Sequence, residues 1–235
     1  MSELTTRTRE YYDRVAPTYS EKFHEPLGHI ASALKADLGW VGPKLSENAA
    51  HAGRQSIKMF DYACGDGAIS KTLRPYVSKI LAVDLSDSMV AEYNKAAQAA
   101  GYGPEKMTAQ QGDLFSDEAS QSLSDPEYFN FDLVTVGFGL HHAETPVQAV
   151  QRLAERLKKG GVCLILDFAS GLRESSSDPS TIAVDGFGRE EMKRIFEDAD
   201  LGGGFDYVII EEPLIYDIRG TRRDMQFFMA RGERI

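Results

Sequence analysis

The chain has few cysteines, a shortage of basic residues and no long apolar run. Its 235 residues include two cysteines, and 26 Lys and Arg stand against 36 Asp and Glu, giving a formal net charge of -10. Two thiols favour a reducing cytosol, although a bond between Cys64 and Cys163 stays open. The acidic balance disfavours a nucleic-acid partner, which binds through clustered Lys and Arg. Without a membrane-length apolar run or a basic-then-apolar N-terminus, we expect no membrane span, no secretory signal and a cytoplasmic protein.

The most informative segment is Asp61–Gly67, where Asp-Tyr-Ala-Cys-Gly-Asp-Gly follows the apolar run Ile57–Phe60. This pattern predicts a strand, a glycine turn and a helix start, with a ligand close to the backbone. A dinucleotide-binding loop would need a third glycine at position 70, which is Ser70, and Asp61 has the wrong charge to face a pyrophosphate. An NAD(P)-dependent oxidoreductase is therefore the less favoured alternative, and a cationic ligand is favoured.

Apolar runs alternate with helical periodicity along the chain. Strands are predicted over 57–60, 80–83, 131–137 and 160–167, and helices over 6–15, from Pro26 through Leu38, from the N-cap Ser86 to Gly101, over 145–160 and over 190–199. Such alternation builds a parallel sheet covered by helices on both faces, with ligands at the carboxyl ends of the strands. We therefore expect Asp61, Asp84, Asp113 and Gly137 to converge on one crevice. Residues 42–55 are predicted to form a connector.

The order of these motifs resembles the class I S-adenosylmethionine (SAM)-dependent methyltransferases. The matching segments are residues 61–67, Asp84 after its apolar run, 111–114, 131–137 and 160–167. Residues 12–19 and 185–187 are similar to segments of the quinone C-methyltransferase group, which acts on small molecules. One departure is Ala63, where glycine is commonest, and we expect this alanine to adopt an ordinary φ.

The resemblance implies a SAM site, with S-adenosylhomocysteine as the product. It implies that Asp61 lies near the ammonium group of the cofactor, Asp84 binds the ribose hydroxyls and Asp113 lies at the adenine. Each assignment has a structural alternative: the three acids also suit turns, and Tyr19 and Met89 also suit packing of the lid and the core. The full implied cofactor-binding set is Tyr19, Asp61, Ala63, Gly65, Gly67, Asp84, Leu85, Met89, Asp113, Leu114 and Gly137.

The implied fold is α/β, a three-layer Rossmann-like methyltransferase fold with a seven-stranded, mostly parallel sheet and helices on both faces. The tail is predicted to add an antiparallel strand pair, 205–215 and 225–231, joined by a turn at Gly220. We expect one domain over 1–235. Its parts are an N-terminal helical lid (1–40), a cofactor-binding core (56–169), and a C-terminal part (170–235) with an acceptor loop, a helix and the strand pair.

The chemistry is expected just after the fourth strand, at His141 and His142. A histidine there suits a general base for a hydroxyl, a thiol or an acidic carbon. The alternative is that one histidine caps the next helix while the other packs under the cofactor. Residues 137–140 lack the Asn/Asp-Pro-Pro-aromatic motif of enzymes that methylate base amino groups or glutamine, and no metal-ligand set stands out.

The expected acceptor is therefore a small molecule with an O, S, N or C nucleophile. A SAM-binding sensor, scaffold or rearrangement catalyst is the alternative function. The sequence leaves the oligomeric state open.

Overall fold

A computed structural model describes residues 2–42, 44–46, 56–116, 121–170, 179–218 and 221–235. The strands are β1 (Lys58–Tyr62), β2 (Lys79–Asp84), β3 (Met107–Gln111), β4 (Phe131–Gly137), β5 (Leu157–Phe168), β6 (Gly203–Ile209), β7 (Leu214–Ile218), β8 (Thr221–Met225) and β9 (Phe227–Glu233). The helices are α1 (Glu3–Val15), α2 (Tyr19–Lys22), α3 (His24–Ala36), α4 (Leu38–Val41), α5 (Ala68–Leu73), α6 (Asp87–Ala99), α7 (Pro146–Arg156) and α8 (Arg189–Glu197).

Seven strands form the main sheet, in the order β3-β2-β1-β4-β5-β9-β6. The first five pair in parallel, and β9 runs antiparallel to both β5 and β6. The chain order reverses direction across the sheet between β1 and β4, which places a crevice at the carboxyl ends of these strands. The predicted α/β fold with a mostly parallel seven-stranded sheet is confirmed.

The sheet is buried on both faces because neighbouring residues of its strands enter two separate cores. In β1, Phe60 packs with the apolar side of α7 and α8, whereas Met59 packs with α3, α5 and α6. In β2, Leu81 and Val83 enter the same core as Phe60, and Ile80 enters the same core as Met59. Parallel strands covered on both sides are expected to be apolar at nearly every position. The central residues of β1 and β2 match that expectation, whereas each strand begins with a lysine and carries an aspartate toward its carboxyl end.

Helix α6 begins where the sequence predicts. The Ser86 hydroxyl accepts a hydrogen bond from the Met89 N–H at 3.1 Å, and Gly101 follows the helix with φ 80°. Met89 and Tyr93 lie one turn apart on the buried face of the helix. An N-cap hydroxyl and a left-handed glycine are the usual signals of helix start and stop, so this element could be predicted from local chemistry.

Two helix ends were predicted wrongly. Helix α7 stops at Arg156 rather than Gly160, because Leu157 already pairs with Phe131 as the first residue of β5. Helix α3 stops at Ala36, and Leu38 instead opens α4, whose N-cap Asp37 accepts the Trp40 N–H at 2.8 Å. In both cases a tertiary contact or a competing cap ends a periodic pattern that would otherwise continue.

The C-terminal strands also differ from the prediction. Strand β6 ends at Ile209. Along the chain, β7 and β8 follow it and form a separate hairpin before β9, which pairs with β6 in the main sheet. The predicted single strand over 205–215 fails at residues 211–213, where two acids precede Pro213, which has no N–H to donate to a ladder. The predicted turn residue Gly220 lies outside the described residues, as does most of the predicted connector over 42–55.

Helix α1 is tied to the start of α6. One Asp13 oxygen accepts hydrogen bonds from the Ser86 hydroxyl at 2.6 Å and from the Ser88 N–H at 3.1 Å, and Arg9 pairs with Asp87. Burial acts to raise the pKa of Asp13, but these hydrogen bonds outweigh it and lower the pKa. The anionic carboxylate therefore fastens α1 across the carboxyl edge of the sheet. The division into lid, core and C-terminal part stays a prediction.

Across the described ranges, no helix combines the length and the apolar character that crossing a membrane requires.

Candidate functional site

The loop after β1 is held in a left-handed conformation at three positions. Gly65 has φ 53° and Gly67 has φ 91°, and Ala63 has φ 53°. The expectation of an ordinary φ at Ala63 is therefore wrong. The chain must reverse sharply between β1 and α5, and a side chain in this conformation costs about 1–2 kcal/mol of steric strain. Ala63 occupies a position that suits glycine, which is why glycine is the commonest residue there in the resembled family.

The two glycines differ in what surrounds them. A Cβ on Gly67 would come within 2.9 Å of the Tyr93 ring, so this glycine allows the loop to pack on α6. A Cβ on Gly65 would meet no heavy atom within 4 Å, and Gly65 lines an open cleft. The backbone at Gly65 is thus open to the cleft, and its predicted role in approaching a ligand stays a prediction.

The cleft lies over the carboxyl ends of β1, β2 and β4 and is open to solvent on one side. Its described lining includes no Lys or Arg, which disfavours a pyrophosphate and suits a neutral or cationic ligand. The lining residues are Thr8, Tyr12, Tyr19, Tyr62, Ala63, Gly65, Asp84, Leu85, Met89, Phe115, Gly137, Phe138, Gly139 and His142.

Asp84 is the carboxylate in this lining. Its Oδ2 accepts the Gly65 N–H at 2.8 Å and its Oδ1 accepts the Ser86 N–H at 2.9 Å. Each carboxylate oxygen has two lone pairs, so Asp84 keeps the capacity to accept two further hydrogen bonds from a ligand. Burial raises the pKa of Asp84 to about 6, although backbone hydrogen bonds from Ser86, Gly65 and Leu85 oppose the rise. Asp84 therefore joins the end of β2 to the glycine loop and offers acceptors to a pair of hydroxyls.

Asp61 lies beneath the glycine loop and is not among the residues that line the cleft. It is 1% exposed, and its two oxygens accept hydrogen bonds from the Ser70 hydroxyl at 2.6 Å and the Thr135 hydroxyl at 2.8 Å. Burial raises the pKa of Asp61 to about 6. This geometry supports the alternative in which Asp61 fixes the loop, and a ligand role for Asp61 stays a prediction.

Asp113 and Leu114 also lie behind the lining. Asp113 Oδ1 accepts N–H groups of Phe115 and Ser116 at 3.0 and 3.1 Å, and the Leu114 N–H donates to the Tyr62 hydroxyl at 3.0 Å. The surface that faces the cleft here consists of the rings of Tyr62 and Phe115, whose centroids lie 4.5 Å apart. Sequence reasoning missed both rings. The signal was available, because Tyr62 and Phe115 stand beside the predicted Asp61 and Leu114.

Leu85, Met89 and Gly137 line the cleft as predicted residues of the set. Met89 is fully buried, so its core and cleft roles coexist. Gly137 is small for a packing reason, because a Cβ there would lie 2.4 Å from Ile69 Cδ1 on α5. The glycine therefore allows the end of β4 to lie close to the start of α5.

The N-terminal segment supplies Thr8, Tyr12 and Tyr19 to the cleft. Tyr19 was predicted, whereas Thr8 and Tyr12 were not. Burial, with the negative charges of Asp66 and Asp84 nearby, raises the pKa of Tyr19, so its hydroxyl stays protonated and can donate a hydrogen bond. Helical spacing from Tyr12 to Thr8 is the sequence signal that would have placed both on one face of α1.

A second pocket, partly open to solvent, adjoins the cleft. The two spaces share a partition, which we define as Tyr12, Tyr19 and Phe138. The remaining lining of this aromatic pocket is Tyr11, Phe23, Pro26, Leu27, Ile30, His141 and Phe168. From sequence, Phe138, Phe168 and Phe187 suit an acceptor site or the core equally well. Phe138 and Phe168 lie in this lining, whereas Phe187 is fully buried in the core.

The two histidines occupy a short 3₁₀ turn, Leu140–His142, after β4. His141 lines the aromatic pocket and His142 lines the cleft. Neither caps α7, whose N-cap is Thr145. His141 is 1% exposed, and its Nδ1 lies 2.7 Å from an oxygen of Asp167, which is fully buried at the end of β5. A role for Asp167 was not foreseen, although it ends an apolar strand just as Asp61 and Asp84 do.

Comparison with known proteins gives the same assignment as these features. Residues 60–163, which run from β1 into β5, match the family described as Methyltransferase domain. Over these residues the chain carries a methyltransferase domain. The predicted family is thereby confirmed.

Relatives of this methyltransferase domain include two curated proteins. An uncharacterized methyltransferase of Schizosaccharomyces pombe is 28% identical over 118 residues, which cover 50% of this chain and 41% of that protein. The ubiquinone/menaquinone biosynthesis C-methyltransferase UbiE of Roseobacter denitrificans is 26% identical over 137 residues, which cover 57% of this chain and 48% of UbiE. The matched part thus spans less than half the length of either relative.

Among solved structures, magnesium protoporphyrin IX methyltransferase of Synechocystis with bound SAM superimposes with a TM-score of 0.63. It is 14% identical and the match covers 99% of both chains. At this identity the likeness shows that the fold is shared. The methyltransferase fold therefore extends beyond the residues that the family match covers.

The residues in the cleft of this methyltransferase domain fit SAM. Gly65 presents backbone to open space, Asp84 keeps acceptor capacity for two hydroxyls, and the described lining bears no cation that would repel a sulfonium. Within the described ranges, no cluster of three or more His, Cys, Asp or Glu is placed to hold a metal ion.

Proposed function

We propose that the protein binds SAM in the cleft and transfers its methyl group to a small molecule held in the aromatic pocket. The observation that carries this proposal is the partition: Tyr12, Tyr19 and Phe138 border both spaces. Donor and acceptor sites are thus contiguous, as an in-line transfer requires. Holding two reactants close and aligned can supply roughly 7–11 kcal/mol of the barrier reduction.

Within this proposal, Asp84 accepts the ribose hydroxyls, and the backbone around Gly65 lies along the cofactor. Tyr62, Met89 and Phe115 supply an apolar, aromatic surface suited to the adenine ring. Tyr19 donates its hydroxyl to the cofactor carboxylate. When bound, SAM supplies an activated methyl group on a sulfonium. The chain supplies binding, orientation and exclusion of water.

The acceptor site supports a small substrate because it is enclosed by side chains from α1, α2, α3 and the turn after β4. The buried free thiols of Cys64 and Cys163 support a reducing, cytoplasmic setting. A SAM-binding protein without transferase activity is the second candidate function. A methyltransferase must bind a nucleophile in the aromatic pocket, whereas a SAM-binding protein without transferase activity need not.

Calorimetry with SAM and S-adenosylhomocysteine tests the cofactor site directly. We expect both to bind wild-type protein with one site per chain, and Gly65→Val to abolish binding because its branched side chain projects into the cleft from a strained backbone. The control is Gly101→Val, a glycine with φ 80° and open surroundings outside the cleft, which strains the loop after α6 without touching the site. If wild-type protein binds neither compound, the proposed function is wrong.

Labelled SAM incubated with phenols, thiols, quinols and carboxylic acids tests the transfer step. Methylated product formed only with wild-type protein supports the transferase. Tight cofactor binding without product from any acceptor class supports the non-transferase alternative.

A further inference from the structure

His141 and Asp167 form a buried pair at the edge of the aromatic pocket. The carboxylate of Asp167 accepts the His141 backbone N–H at 3.0 Å on Oδ2 and the Phe168 backbone N–H at 2.8 Å on Oδ1. Two backbone donors stabilise the ionised carboxylate. The third contact, from His141 Nδ1 to Oδ1 at 2.7 Å, is therefore donated by the histidine as Nδ1–H.

This hydrogen bond fixes the neutral tautomer of His141. With the proton on Nδ1, the other ring nitrogen Nε2 carries a lone pair and points away from Asp167. Within the described part of the chain, Nε2 is buried and has no hydrogen-bond partner. A buried polar atom without a partner carries an energetic cost of about 1–3 kcal/mol. Because His141 lines the aromatic pocket, a ligand hydroxyl held there can supply the missing hydrogen bond.

His142 differs from His141 in this respect. Its Nδ1 donates to the Thr181 carbonyl at 2.5 Å, and its Nε2 lies 3.0 Å from the Tyr12 hydroxyl. A carbonyl accepts only, so the proton is again on Nδ1, and Nε2 accepts the Tyr12 O–H. The lone pair of His142 is already used to hold α1, which leaves His141 as the base.

The aromatic pocket selects the kind of acceptor. Six of its ten lining residues are Tyr or Phe, and no Lys, Arg, Asp or Glu occurs among its described lining residues. A carboxylate or phosphate ester would lose hydration there without gaining a cationic partner. A flat, neutral ring would instead pack against aromatic faces.

Resting on the methyltransferase function above, we propose that the acceptor is a neutral phenol and that His141 Nε2 removes its hydroxyl proton as the oxygen is methylated. The O–C bond forms while the C–S bond breaks, and its electron pair stays on sulfur as a neutral thioether. The proton resides on Nε2, where the Asp167 carboxylate stabilises the imidazolium, and it leaves to solvent before the next turnover. His141 is the catalytic residue and Asp167 is a positioning residue.

A chromogenic phenol tests this pair without any cofactor. We expect 4-nitrophenol to bind unliganded wild-type protein and to be converted to its coloured anion at a pH where the free probe is mostly neutral. His141→Gln should bind the probe without ionising it, and His24→Gln, which alters an exposed histidine of α3 outside the lining, should behave as wild type. A bound probe that stays neutral in wild-type protein, or no binding of either 4-nitrophenol or 1-naphthol, overturns the proposal.

Turnover gives the second measurement. With SAM and 4-nitrophenol, wild-type protein should form the methyl ether, and His141→Gln should lower kcat roughly 100- to 10,000-fold with unchanged SAM affinity. Asp167→Asn should lower kcat without changing the KM for the phenol, and imidazole should restore activity to His141→Ala. Ring methylation, or full turnover in His141→Gln, refutes the assignment. If wild-type protein does not bind SAM, the proposed methyltransferase function is wrong, but ionisation of bound 4-nitrophenol still tests whether His141 acts as a base.

If the His141 variants do not fold, the ionisation of 4-nitrophenol by wild-type protein decides the proposal.

Discussion

The cofactor cleft and the aromatic pocket are built in different ways. The cleft is made by strand ends, where Gly65 and Asp84 follow β1 and β2 and are joined by a hydrogen bond of 2.8 Å. The pocket is made mostly by side chains of α1, α2 and α3, together with Phe138, His141 and Phe168. Both are lined in part by rings, but the cleft adds backbone at Gly65 and the Asp84 carboxylate, whereas the described lining of the pocket has no Lys, Arg, Asp or Glu. The first therefore suits a ligand common to a large family, and the second suits an acceptor particular to this chain.

Asp84→Asn is expected to act on the cleft alone, with a large but smaller effect than Gly65→Val. Loss of charge-assisted hydrogen bonds to the ribose should weaken SAM binding by about 1.5–3 kcal/mol, or roughly 10- to 150-fold. Calorimetry measures the change, and binding of 4-nitrophenol to the aromatic pocket should stay as in wild type. The control Asp198→Asn removes an exposed carboxylate beside α8. Equal SAM affinity in wild type and Asp84→Asn would contradict the role of Asp84.

Acidification should weaken SAM binding in the cleft, where Asp84 titrates. The pKa of Asp84 is raised to about 6. The affinity for SAM should therefore be highest above that pH, where Asp84 is ionised, and should fall up to tenfold per pH unit below it. The stability of the unliganded protein should respond in the opposite direction. A raised carboxyl pKa contributes stability that is present below the unfolded value of 3.8 and is lost as the pH rises through about 6, and Asp61 acts likewise.

The pH titration is checked by calorimetry at several pH values with Asp84→Asn as the comparison. That variant should show a flat profile between pH 5 and pH 7, since its amide does not titrate. A parallel fall in both proteins would assign the pH dependence to another group.

Phe23→Ala is expected to act on the aromatic pocket alone. Phe23 lines that pocket but not the cleft. Loss of ring contact should weaken acceptor binding by about 1–2 kcal/mol, seen as a higher KM for the phenol at unchanged SAM affinity. The matched control is Phe115→Ala, which should weaken SAM binding instead because Phe115 lines only the cleft. If each variant alters both ligands equally, the two spaces are not separate sites.

The smallest effect is expected from Ala63→Gly. Relief of the left-handed strain, less the greater entropy of glycine in the unfolded chain, should stabilise the protein by about 0.5–1 kcal/mol. Thermal unfolding measures this change. Asn130→Gly is the control, because Asn130 also has positive φ, at 63°, but asparagine tolerates it better. A lower melting temperature for Ala63→Gly would show that the alanine methyl is needed for packing against the turn after β4.

The cleft was the easier site to predict from sequence. Gly65, Gly67 and Asp84 are specified by local patterns, because a glycine turn and an acid after an apolar strand have similar geometry wherever they occur. The cap at Ser86 follows from the same local chemistry. Ligand roles for the whole predicted set, including Asp61 and Asp113, stay predictions.

The aromatic pocket could not be predicted in the same way. Tyr11, Phe23 and Phe168 come together only when α1 and α3 fold over the ends of β4 and β5. The pairing of His141 with Asp167 depends on β4 and β5 being neighbours in the sheet, and no spacing along the chain signals it. The inserted hairpin of β7 and β8 likewise depends on where β6 stops.

The partition has a consequence for the order in which ligands are held. Tyr12, Tyr19 and Phe138 are aromatic, and aromatic rings attract onium cations by roughly 0.5–2 kcal/mol. SAM carries such a charge at the centre from which the methyl group leaves, and the thioether left after transfer has none. In the proposed complex, the partition would therefore bind SAM more tightly than S-adenosylhomocysteine, and transfer itself would assist release of the product.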